Sequence, residues 1–248
     1  MTSPRIMETV ALVTGANRGL GRALTEGLLA RGAKRVYAAA RDPRSLRDLG
    51  DERVVALRLD VTDANQVRAA AEAASDVELV FSNAGLALGT AIVGADVVGE
   101  AQREMDVNYF GPLRLIQRMA PTLARNGGGA FVAIGSVAGL TNVPFLPTYA
   151  ASKAALHSLT QAARILLAAQ RTAVVGVYPG PIDTDMSRAL AIPKTAALEV
   201  AGAILEGVEA GREDIFPDPF AVEFGRSFEA SPKSSERQVA AMMLAAAA

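Results

Sequence analysis

The chain has 248 residues, 50% hydrophobic and 21% charged, with 25 basic side chains against 26 acidic ones. That length holds one sizeable core, and charges that nearly cancel without a basic block give no support to nucleic-acid binding. Zero cysteines and one histidine, His157, exclude disulfides, thiolate chemistry and the usual metal centres, and no apolar run approaches the ~20 residues of a membrane span.

In chain order, the opening eight residues carry Pro4, Arg5 and Glu8 and no apolar signal core, which points to a cytoplasmic protein. Short β-branched apolar runs at 9–13, 35–39, 54–59, 78–81, 130–134 and 173–178 predict buried strands. Between them, Ala-, Leu- and Arg-rich stretches of helical period predict helices at 19–31, 43–49, 63–74, 99–124 and 148–170. This alternation predicts an α/β chain with a doubly wound, mainly parallel sheet and helices on both faces, a three-layer arrangement. After Tyr178 the pattern loosens into a Pro/Gly turn, a short helix over 194–207, Phe216-Pro217-Asp218-Pro219 and Ala-rich helix formers over 237–248 with no evident role. No repeat or linker interrupts it, so residues 1–248 read as one domain.

The first strand runs directly into Thr14-Gly15-Ala16-Asn17-Arg18-Gly19-Leu20-Gly21, which opens the first helix. Small residues there let the backbone turn tightly and approach a pyrophosphate at a helix N-terminus, although such a turn can also be close packing alone. Further motifs follow in order. Asp60-Val61 closes the third strand, Asn83-Ala84-Gly85 the fourth, and Asn108 sits within Val107-Asn108-Tyr109-Phe110-Gly111. Ser136 follows the fifth strand, thirteen residues before Tyr149, with Lys153 one helical turn beyond. Pro179-Gly180-Pro181-Ile182-Asp183-Thr184 follows the sixth strand.

Together these residues resemble the single-domain branch of the short-chain dehydrogenase/reductase family, over roughly 9–216. The resemblance implies a Rossmann-type fold and cofactor contacts from Gly15, Asn17, Arg18, Gly19, Leu20 and Gly21, from Asp60 and Val61 at the adenine, and from Asn83, Ala84 and Gly85. It also implies contacts from Tyr149 and Lys153, and from Pro179, Gly180, Ile182 and Thr184 around the nicotinamide. Asn108, Ser136, Tyr149 and Lys153 match the family's catalytic tetrad. By that likeness Tyr149 exchanges a proton with the substrate oxygen, Ser136 hydrogen-bonds the same oxygen, and Asn108 holds a water leading to Lys153. Lys153 lowers the Tyr149 pKa from about 10 by roughly 2–3 units, which needs about 3–4 kcal/mol of differential stabilisation.

The second strand ends in Ala39-Ala40-Arg41-Asp42. A carboxylate at the Ala40 position would accept from the ribose hydroxyls of NAD and repel a 2′-phosphate. Its absence, with Arg41 beside it and Arg18 in the glycine loop, predicts NADP(H) over NAD(H); Asp42, one residue later, argues the other way.

A serine hydrolase is excluded, because glycine directly precedes Ser136 and no acid lies between it and His157. His157 reads as packing. The rival readings are a non-catalytic NADP-binding sensor or regulator, which has no need of the tetrad, and transient oxidation in a dehydratase or epimerase, whose family members are longer. The segments 86–95, 140–148 and 186–220 are expected to line the substrate pocket. Leu140, Val143, Phe145, Leu146, Met186, Leu190 and Ile192 make it apolar and point to a hydrophobic ketone or secondary alcohol. An acyl-carrier-protein-bound ketoacyl substrate is the alternative, with Arg114, Arg118 and Arg125 facing an acidic partner. The two long helices are expected to join a homodimer or homotetramer.

Overall fold

The computed structural model describes residues 5–89, 92 and 97–246. Strands β1 (Val10–Thr14), β2 (Arg35–Ala40), β3 (Val54–Arg58), β4 (Leu79–Ser82), β5 (Gly129–Ile134) and β6 (Thr172–Val177) occupy the six places read from the sequence. Helices α1 (Gly19–Ala30), α2 (Ala64–Ala73), α3 (Val97–Met105), α4 (Gly111–Arg125) and α5 (Pro147–Leu167) fall between them. Beyond β6 come β7 (Ile182–Asp183), β8 (Thr195–Ala196), α6 (Ala197–Glu209), β9 (Asp214–Ile215), α7 (Pro219–Ala230) and α8 (Pro232–Ala246).

Seven parallel strands pair in the order β3-β2-β1-β4-β5-β6-β9, a Rossmann-type doubly wound sheet. Winding reverses between β1 and β4, so their C-terminal ends open the crevice in which ligands bind in such sheets. Side chains alternate between two cores. Ala11, Val13, Phe81 and Val132 pack with Leu20, Leu24 and Leu28 of α1 and Ile204 and Leu205 of α6. Leu12, Val80 and Phe131 pack with Val67 of α2, Leu115 and Met119 of α4, and Leu156 of α5. Fully burying each Leu or Phe contributes about 1.5–3 kcal/mol, enough for both faces of the central strands to demand cover.

Three expectations are corrected. The helix read at 99–124 is broken, since α3 and α4 are joined by a π-turn over Asp106–Phe110. Pro112 is the physical reason: it has no N–H for the Asn108 carbonyl, and the Gly111 N–H bonds Asp106 instead, five residues back. Residues 43–49 form a 3-10 helix rather than an α-helix. Strand β3 lies at the sheet edge, with Val55 and Ala56 exposed, so it is not a buried strand. Segment 186–194 belongs to an excursion closed by parallel pairing of Ile182 with Thr195 and Asp183 with Ala196.

Candidate active site

Directly after β1, Gly15 and Gly19 adopt left-handed backbone angles (φ +67° and +54°) that favour glycine. Gly21 is required by proximity, because a Cβ there would lie 2.1 Å from the Gly15 carbonyl oxygen. Arg18 is the N-cap of α1 and makes no side-chain cap, and no acid stands in the first turn. The first N–H groups of a twelve-residue helix are thus left for an anion, and the positive end of its dipole points the same way. Asn17 and Leu20 complete this turn.

Thr14 and Asn83 bind the loop to β4. The Thr14 hydroxyl accepts from the Asn83 and Ala84 N–H groups at 2.9 and 3.0 Å, and Asn83 Nδ2 donates to the Thr14 carbonyl at 2.9 Å. A Cβ on Gly19 would meet Thr184 Cγ2 at 3.1 Å, so the segment 179–184 faces the glycine loop. Asp60 Oδ1 accepts from the N–H and hydroxyl of Thr62, while Val61 is buried against Gly111 of α4.

Arg18 is ion-paired with Asp185 at 3.2 Å, whereas Arg41 lines a surface hollow with Asp42, Pro43, Arg44 and Arg58. Asp42 is occupied: it caps the following 3-10 helix and accepts two charge-assisted bonds from Arg44. Those bonds hold its carboxyl below the ordinary carboxylate range.

Ser136, Tyr149 and Lys153 meet at the C-terminal end of β5. Ser136 stands close enough to the Tyr149 phenol to pull its pKa down, and Ser136 Oγ accepts from the Ala138 N–H at 3.2 Å. Lys153, buried in α5, donates from Nζ to the Ile134 carbonyl at 2.8 Å and lies 5.7 Å from the Tyr149 ring centroid. Burial drives Tyr149 up to about 12 against the opposing Ser136 bond, and burial alone drives Lys153 down to about 8. Burial is the larger influence on both groups, and the Lys153 ammonium spends one of its bonds on Ile134.

Asn108, in the π-turn, is fully buried. Its Oδ1 accepts from Leu86 N–H at 2.9 Å, and Nδ2 donates to Leu86 O at 2.7 Å and Ser152 Oγ at 2.8 Å. Glu104, one turn earlier and also fully buried, accepts from Leu88 N–H at 2.8 Å. Pattern reading passed over Glu104, Thr14 and Ser152, although each is adjacent to, or one helical turn from, a motif residue. It also missed Asp218, whose carboxylate accepts from Gly180 N–H and Ala221 N–H, both at 2.8 Å. The Asp-Pro start of α7 was the available signal.

His157 Nδ1 is 2.8 Å from the Tyr178 hydroxyl, away from the tetrad's bonds. Arg114 is paired with Asp106 at 2.8 Å and does not stand free for an acidic partner. Phe145, Met186 and Ile192 are exposed, while Leu140 and Val143 pack, like Phe216 and Phe220, against the cluster of Val137, Tyr178, Ala221, Phe224 and Val239. Positions 90, 91 and 93–95 of the expected pocket lie outside the described residues, and no helix among the described residues is long and apolar enough to cross a membrane.

The profile of the short chain dehydrogenase family matches residues 9–194. The chain belongs to the short-chain dehydrogenase/reductase family. A family structure from Burkholderia cenocepacia, solved in complex with NADP, is 39% identical with a TM-score of 0.90 over 95% of this chain and 98% of that one. One from Burkholderia phymatum, in complex with NAD, is 26% identical with a TM-score of 0.79 over 90% and 93%. The 3-oxoacyl-[acyl-carrier-protein] reductase MabA of Mycobacterium bovis is 36% identical over 75% of this chain and 74% of its own length. Asp218 and helices α7 and α8 lie beyond the family match.

Proposed function

We propose that this short-chain dehydrogenase/reductase is an NADP(H)-dependent oxidoreductase interconverting a hydrophobic ketone and its secondary alcohol. The observation that carries the reading is the meeting of Ser136, Tyr149 and Lys153 at the strand end facing the glycine loop. The uncapped α1 terminus, with Gly15, Asn17, Gly19, Leu20 and Gly21, would hold the cofactor pyrophosphate. Asp60 and Val61 would lie at the adenine, Asn83 to Gly85 beneath the cofactor, and Pro179, Gly180, Ile182 and Thr184 at the nicotinamide. The cofactor supplies the hydride. Arg41, with Arg44 and Arg58 around the same hollow, offers a concentration of guanidinium charge suited to a 2′-phosphate, and Asp42 is already neutralised by Arg44.

In the reductive direction, Tyr149 gives its proton to the substrate oxygen while Ser136 donates a hydrogen bond to that oxygen as charge develops. A phenol held protonated by burial is a competent donor in this direction. Lys153 takes the place closest to Tyr149 from which a proton can be returned. The Asn108 carboxamide is spent on Leu86 and Ser152, so its main-chain carbonyl, offered no N–H by Pro112, is the acceptor suited to hold a water on that route. Exposed Phe145, Met186 and Ile192 favour an apolar substrate.

Titration with NADPH and then NADH tests the cofactor reading. At least ten-fold tighter NADPH binding, about 1.4 kcal/mol, is expected, and equal or tighter NADH binding removes it. Acetophenone and an acetoacetyl thioester, each assayed with NADPH, then separate a small ketone from the acyl substrate that the likeness to MabA suggests. Tyr149→Phe is expected to abolish turnover with cofactor affinity retained; undiminished turnover refutes the assignment of the proton donor.

A further inference from the structure

We propose that Glu104 is a positioning residue of the carbonyl/alcohol site: with Asn108 it clamps the segment 86–88 as a fixed wall that follows Gly85, where a Cβ would lie 3.7 Å from Lys153 Nζ. The proposal rests on the reading of Tyr149 as proton donor. Glu104 lies in the last turn of α3, four residues before Asn108, so through the helical start of the π-turn the two side chains leave on one side. They grip alternate residues of an extended segment. Asn108 takes both the N–H and the C=O of Leu86, and Glu104 Oε1 takes the N–H of Leu88. A neighbouring strand would satisfy an extended chain at the same groups; here two side chains do so for a segment that belongs to no strand. The wall therefore keeps its place directly after Asn83-Ala84-Gly85, where cofactor and substrate are read to meet.

Holding one amide does not require a carboxylate. Glutamine would accept the same bond, yet the side chain is a carboxyl, 0% exposed, and its buried Oε2 has no hydrogen-bond partner among the described residues. Three polar groups bear on the Tyr149 phenol: Ser136 after β5, Lys153 from α5 and Glu104 from α3. Glu104 adds to burial in keeping the proton on Tyr149. Glu104 thus both fixes the wall and biases Tyr149 toward the donor form that carbonyl reduction needs.

Glu104→Gln keeps the acceptor for Leu88 and removes the charge; Glu104→Ala removes both. With 1-phenylethanol and NADP, oxidation requires ionised Tyr149, so its rise in kcat/KM with pH reports that titration. In Glu104→Gln the rise is expected to move to lower pH by on the order of half a unit with KM for acetophenone unchanged. In Glu104→Ala the KM is expected to rise roughly ten-fold, more than kcat falls, and the Leu88 amide to lose hydrogen-exchange protection. Superposable pH profiles, unchanged KM and unchanged Leu88 protection overturn the proposal, even if thermal stability drops. Should Glu104→Ala not fold, the pH profile of Glu104→Gln decides. Turnover by Tyr149→Phe in the same assay would defeat the proton-donor reading alone. Leu88 exchange, which needs no substrate, still judges the clamp.

Discussion

At the scale of single residues, the tetrad's chemistry is governed by desolvation as much as by proximity. The sequence logic of Tyr149 and Lys153 one turn apart expects a cation pulling a phenol down. In the folded chain each is pushed toward its neutral form, Tyr149 up to about 12 and Lys153 down to about 8 from 10.5. For Lys153 the sign is that of a penalty. Between pH 8 and 10.5 the folded chain binds fewer protons than the unfolded one, so stability rises with pH across that window. The penalty, about 3 kcal/mol at full size, is present below pH 8 and gone above 10.5. Lys153→Met removes it but forfeits the Ile134 bond, worth about 1 kcal/mol. The variant is therefore expected to be inactive yet more heat-stable at pH 7, with the gain vanishing by pH 10. A melting-temperature series on both proteins checks this, and a constant difference across pH would contradict it.

At the scale of elements, the site depends on how separate pieces are tied. Asp218 caps α7 and holds Gly180, so it couples a helix beyond the family match to the segment read as the nicotinamide loop. The attachment is tight, since a Cβ on Gly180 would lie 2.7 Å from Asp218 Oδ1. Burial raises the Asp218 carboxyl against the pull of the backbone N–H groups it accepts from. Asp218→Ala is expected to cost about 1–2 kcal/mol from the lost cap and to weaken NADPH binding several-fold. Asn126→Ala is the matched comparison, because Asn126 likewise makes two side-chain bonds to the backbone, donating to the Ser75 and Val77 carbonyls, but before the N-terminal ends of β4 and β5. Equal losses of melting temperature with only Asp218→Ala altering NADPH affinity would establish the coupling; unaltered affinity would reduce Asp218 to a cap.

At the scale of the whole molecule, the surface carries an apolar remainder on α5. Ile165 and Leu166 are 79% and 76% exposed on the helix expected to join subunits, and Ala151, Ala154 and Ala162 are exposed along it. Small side chains along one helix allow close approach of another, with the two large ones at its end as anchors. A homodimer or homotetramer through α5 is expected, and Leu166→Glu should shift the chain to a smaller species in light scattering with its fold intact. A monomeric wild type, or an unchanged mass for Leu166→Glu, would move the interface elsewhere.

The sequence by itself determined the six longer strands, the helices that cover them and the candidate site motifs, because these are written in local periods and fixed spacings. A strand buried on both faces must be apolar throughout, and a tight turn beneath a phosphate must be rich in glycine. The brief strand β9, with only Asp214 and Ile215, has too little length to show a period. The break between α3 and α4 follows from one missing N–H at Pro112. Strand β3 reads as buried, and only its place at the sheet edge exposes it. The partners of Glu104, Asp218 and Arg18 also belong to tertiary structure alone, since Leu88, Gly180 and Asp185 lie 16, 38 and 167 positions away. So does the ionisation of Tyr149 and Lys153, because desolvation is a property of surroundings that no spacing encodes.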